Sequence, residues 1–277
     1  IDHCQELIHL HPQEDKCYQL AITLLKFNKH AKTELLWGEI LNRKNISHRS
    51  LFQTFDNLVS SELLIRLSRS KLSVLDQTSF KEIIRSQIVI KLLGLTPFLR
   101  STWEEMLTKA RKEICLKLLK PNSNLKEDLL TFTIALAKQC FLNEYVYYCT
   151  QKEVKALDTI ETRYISNNYR EDLLSILACY RPLYKIKRIL PYIEDKDSFS
   201  NNLQEIIEIQ LKENLLEKQI GKQIEKIGTI KDIVSNKVKA QYEENPYPRW
   251  RYTNYFKSQS YSIPEIINSE TNNNIVM

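Results

Sequence analysis

The chain has 277 residues, 43% hydrophobic and 27% charged, enough apolar material for one or two domains with a sizeable core and too much for extensive disorder. Its four glycines, at 38, 94, 221 and 228, stand apart; no P-loop or G-x-G-x-x-G turn can be drawn, which excludes phosphate and cofactor pockets built on close backbone approach. Forty basic against 34 acidic residues give a net charge of +6, with the signs interspersed, which describes a solvated surface rather than a nucleic-acid footprint.

Taken in order, the chain opens at Ile1 rather than Met, so it reads as part of a longer frame. The polar start at Asp2, His3, Gln5 and Glu6 lacks a charged-then-apolar leader, and a cytoplasmic location is expected. Strand signals are almost absent while helix starts and stops recur, which predicts an all-α fold, an array of antiparallel helix pairs with an irregular helical domain behind it. Ser79 and Glu82 have the spacing of a capping box, followed by Phe80, Ile83, Ile84, Ile88 and Leu92 at three-and-four spacing and a stop at Gly94 and Pro97. Thr102 and Glu105 repeat that box, with Trp103, Met106, Leu107, Ala110, Ile114 and Leu118 on one stripe as far as Pro121. A helix over residues 129–148 is apolar nearly all round and is expected at the centre.

Further on, Leu203, Ile207, Leu211, Leu215, Ile220, Ile224 and Ile227 predict one long amphipathic helix ending at Gly228. Thr229 is placed to cap the next helix, which carries Ile230, Ile233, Val234 and Val238 and must stop near Asn245 ahead of Pro246. Residues 121–124 and 191–202 read as connectors, and residues 258–277 as a flexible polar tail. No run reaches the 18 or so apolar residues of a membrane span, the longest being broken by Lys138, Asn143 and Glu144.

Candidate chemistry is sparse. His3, Cys4, His9, His11 and Cys17 cluster in sequence, but His9 and His11 would face nearly opposite sides of a helix, so helix-edge residues are expected and no metal site. The six cysteines show no C-x-x-C spacing and read as reduced core residues. Lys185, Lys187 and Arg188 among Tyr180, Tyr184 and Tyr192 have the composition of a single-strand nucleic-acid surface, yet Ile186, Ile189 and Leu190 suit an amphipathic helix with a solvated basic face. Gln139 and Asn143, four apart on the most apolar helix, with Glu144 and Tyr145 next, must find hydrogen-bond partners: either a buried network that fixes helix packing or a substrate-facing cluster. Asn245, Pro246, Tyr247, Pro248, Arg249 and Trp250 form a stiff extended strip that displays an aromatic-cationic surface at low entropic cost, a linker at minimum and a docking strip for a neighbouring domain at most.

Gln241-Tyr-Glu-Glu-Asn-Pro-Tyr-Pro-Arg-Trp250 resembles the signature just before the catalytic domain of bacterial class I S-adenosylmethionine-dependent methyltransferases that carry a tetratricopeptide-repeat region. Residues 136–146 and 178–183 resemble that family's middle region, so the likeness spans about residues 95–250. Residues 17–30 are similar to the first helix and turn of one tetratricopeptide repeat, with Leu20, Ala21 and Leu24 at its apolar and small positions, Asn28 for the turn glycine and Thr33 for an alanine.

The resemblance implies a partial repeat-like helix pair at 1–35, a helical region at 36–120, a helical middle domain at 121–244, a proline-aromatic linker at 245–257 toward a catalytic domain not contained here, and the tail at 258–277. It implies a non-catalytic recognition region acting on a protein or peptide substrate. S-adenosylmethionine is expected only with the catalytic domain, since the glycine-rich strand and turn of that family do not follow Trp250. The alternative is a free-standing helical adaptor for protein partners.

Overall fold

In the computed structural model the described residues are 2–25, 33–43, 46, 48–120, 122–166, 169–193, 199–224 and 232–244, and among them every regular element is a helix. The amino-terminal helices α1 (Asp2–Leu10) and α2 (Asp15–Leu25) meet across Pro12, whose carbonyl accepts from the Tyr18 hydroxyl at 3.2 Å. Then follow α3 (Thr33–Leu41), α4 (His48–Asp56) and α5 (Ser61–Arg69), the last opened by Ser60, whose hydroxyl accepts from the Leu63 N–H. Next come α6 (Thr78–Arg85) and α7 (Gln87–Leu93): the single helix expected from Ser79 is broken at Ser86, whose hydroxyl caps α7, and only its stop at Gly94 is as the sequence signalled.

Neither expected capping box forms. Gln77 occupies the N-cap of α6, so Ser79 lies inside its first turn. The N-cap of α8 (Ser101–Leu118) is Arg100. Glu105 reaches instead across to Ser68, at 3.2 Å, and to Arg69, at 3.6 Å, so its carboxylate serves the packing of α8 on α5.

Helix α8 buries the whole predicted stripe from Trp103 to Leu118, each large apolar side chain contributing roughly 1.5–3 kcal/mol. Trp103 donates to Asp56 at 2.7 Å and meets Phe98, which stacks on Phe52 at 4.3 Å between ring centres. Helix α9 (Glu127–Leu142) is central, as expected, and packs against α6, α7, α8, α11 (Glu171–Ala178) and α12 (Asn201–Ile207). It stops six residues before the expected end. Glu144 and Tyr145 take φ of 56° and 59°, and the Tyr145 N–H returns to the Cys140 carbonyl at 2.8 Å, a Schellman closure with glutamate where glycine is usual. Helix α10 (Gln151–Ser166) packs on α8 and α11 from the other side.

The expected long helix past Leu203 is interrupted. After α12 the segment Glu208–Lys212 is π-helical, and α13 (Glu213–Gln223) continues from it. Leu203, Ile207 and Leu211 are buried, whereas Leu215, Ile220 and Ile224 of the same stripe are exposed. The last helix, α14 (Ile233–Glu244), is opened by Asp232, whose carboxylate accepts from the Ser235 N–H at 2.6 Å; the expected cap, Thr229, and the stop at Gly228 lie outside the described residues. No helix among the described residues is long and apolar enough to cross a membrane.

Candidate functional site

Of the residues singled out in sequence, Gln139, Asn143, Glu144 and Tyr145 fall at the carboxyl end of α9. Gln139 is fully buried. Oriented so that donors meet acceptors, its amide nitrogen reaches the Leu93 and Thr96 carbonyls at 3.1 Å each and its oxygen accepts from the Phe98 N–H at 3.0 Å. These bonds tie α9 to the turn that follows α7, which is the work of a packing network. Asn143 is also buried, and its side-chain oxygen accepts from the Tyr145 N–H at 3.1 Å, completing the turn. Glu144 and Tyr145 are half-buried. Asn245, Pro246, Tyr247, Pro248, Arg249 and Trp250 lie outside the described residues.

The same turn is held from behind by a residue that sequence reasoning passed over. Arg111 of α8 is 1% exposed, and its Nη2 donates to the carbonyls of Tyr148, at 2.7 Å, and Tyr147, at 3.1 Å. Its guanidinium lies 4.1 Å from the centre of the Tyr180 ring and 3.9 Å from the Glu153 carboxylate, also 1% exposed. Glu153 accepts from the Thr150 N–H and hydroxyl at 2.8 and 2.6 Å and from the Tyr180 hydroxyl at 2.7 Å. One buried ion pair thereby joins α8, the 143–150 turn, α10 and the end of α11.

Thiols crowd this pocket without becoming nucleophiles. Burial pushes Cys115 up to about 12 and raises Cys179 and Cys149 as well, so these stay protonated at neutral pH. Cys140 is the exception: burial raises it, but the bond from Cys179 and the charge of Arg111 outweigh that and lower it. It is nonetheless sealed from solvent, as a substrate-attacking group could not be. Among the described residues no group of three or more His, Cys, Asp or Glu is arranged to hold a metal ion.

An opening to solvent lies on the opposite side of α9, at Thr131 and Lys138. A cleft of about 550 Å³ runs between the end of α3, α7, α9, α12 and the π-helical turn. Lys91 of α7 enters it, donating to the Asn42 side-chain oxygen at 2.9 Å and the Gly38 carbonyl at 3.4 Å. Lys138 of α9 enters beside it, its stem crossing Gly94 so closely that a Cβ there would lie 3.0 Å from Lys138 Cδ. Its ammonium pairs with Glu205 of α12, and Glu208, also in the wall, pairs with Lys212 at 3.4 Å. At one end Arg43 stacks its guanidinium 4.0 Å above the Tyr18 ring, and His48 meets the Arg43 carbonyl at 3.0 Å; burial holds this histidine below its ordinary value.

The sequence signal for this cleft is faint: an isolated glycine at a helix end, and two lysines embedded in apolar helical runs. No family model, curated protein or solved structure matches the chain.

Proposed function

We propose that this chain is the non-catalytic recognition region of an S-adenosylmethionine-dependent methyltransferase that acts on a protein in the cytoplasm, the methyl-donor site being supplied by a separate domain or chain. The observation that carries the reading is the string from Gln241 to Trp250, which starts within α14 and resembles the junction ahead of the catalytic domain in that family. Two further features support it. The helical body offers an open cleft of mixed polarity, suited to part of a protein chain, and the isolated glycines give no turn for a nucleotide-like cofactor.

A free-standing adaptor is the second reading, favoured by the cleft, which needs no catalytic neighbour in order to bind. Alanine at Tyr247, Arg249 and Trp250 separates the two. In the recognition region the triple variant loses its association with the methyl-transferring domain while substrate binding persists. In the adaptor it changes nothing, and that result in a pull-down against the domain encoded downstream would refute the first reading.

A further inference from the structure

The charges around the cleft do not cancel. Lys138 is matched by Glu205, and Glu208 by Lys212. Among the described residues Lys91 is not matched: its two acceptors there are neutral, a carbonyl and an amide oxygen, and it is only half-buried. An ammonium has three N–H donors, so one remains for a ligand, together with a full positive charge in a concave, partly desolvated wall. Gln87, one turn before Lys91 on α7, and Thr131 of α9 add neutral hydrogen-bonding groups, while Leu41, Ile90 and Leu95 line the same space with apolar surface.

We propose that this cleft binds an acidic peptide segment, with a glutamate or aspartate carboxylate pairing with Lys91 and neighbouring apolar side chains seated on Leu41, Ile90 and Leu95. The volume lies within the roughly 300–1,000 Å³ of ligand sites. A single unmatched ammonium suits one carboxylate, whereas a polyphosphate calls for several donors and usually a glycine-rich turn. Among the described residues of the wall there is no Phe, Tyr or Trp on which a nucleobase could stack. The proposal deepens the recognition reading by naming a substrate class, and rests on that reading only in taking the bound segment as the methyl acceptor.

The test uses this chain alone, without S-adenosylmethionine, so failure here leaves the methyl-donor question to its own experiment. Fluorescence anisotropy would follow a labelled octapeptide alternating glutamate with leucine, its glutamine counterpart, and competition by inorganic phosphate at physiological salt. The glutamate peptide should bind about two- to fivefold more tightly than the glutamine one, the scale of a single partly exposed charge pair. Lys91→Gln should abolish that preference, Lys91→Arg should keep it, and Lys155→Gln, on the exposed face of α10, should leave it unchanged. Thermal melts confirm that each variant folds. Equal binding of the two peptides, no binding, phosphate binding without peptide binding, or a loss in Lys155→Gln equal to that in Lys91→Gln would each overturn the assignment.

Discussion

At Arg111 a permanent positive charge sits where water cannot reach it, compensated by Glu153, three backbone carbonyls and an aromatic face. Removing Arg111 leaves the Glu153 carboxylate buried without its countercharge, which costs about 3–5 kcal/mol, a large share of the 5–15 kcal/mol typical of a domain. Arg111→Ala should therefore lower the free energy of unfolding by about that amount in urea titrations, and a loss within about 0.5 kcal/mol, normal for a surface site, would refute the account. His48 gives a pH signature. Because its folded value lies below its unfolded one, its stabilising contribution is fully present above about pH 6.5 and is lost as pH falls toward the folded value. The melting temperature of the wild type should accordingly fall more between pH 7.5 and 5 than that of His48→Gln. Gln139 and Asn143 were legible as buried polar groups because they interrupt an apolar helix. Arg111 was not, since an arginine in a mixed helix reads as surface and its partners, Tyr147, Tyr148, Glu153, Cys179 and Tyr180, come from 36 or more residues away in sequence.

Among the elements, helix identity was readable and most helix ends were not. The α8 stripe and the apolar girth of α9 arise from local periodicity, which survives into the fold because burial depends on face. Ends depend on competition for single polar groups, and Glu105 chose Ser68 and Arg69 over its own helix start. The stop of α9 carried no glycine to announce it, so Glu144→Gly should stabilise the protein by about 0.5–1 kcal/mol, whereas valine at that φ of 56° should destabilise it. The π-helical turn was equally silent. It places Gln210 where its amide donates to the Ala137 and Ala178 carbonyls, at 3.2 and 3.3 Å, and accepts from the Leu183 N–H at 3.2 Å, linking α9 and α11 to the junction of α12 and α13. Gln210→Leu orphans these buried groups and should cost roughly 1–3 kcal/mol by chemical denaturation; an unchanged midpoint would show that the turn is held by apolar packing alone.

For the whole molecule, the all-α architecture followed from missing strand signals and recurrent helix stops, both local properties. The cleft followed from neither, because its walls come from residues near 41, 91, 138 and 205 that only tertiary packing brings together. That the chain recognises a substrate for a methyl-transferring neighbour is its proposed role. Calorimetric titration with S-adenosylmethionine, first into this chain alone and then into the chain mixed with or extended by the product of the downstream reading frame, tests that role most directly. The proposal predicts no heat of binding in the first titration and saturable binding in the second. Tight binding by the chain alone, or none in either case, would contradict it.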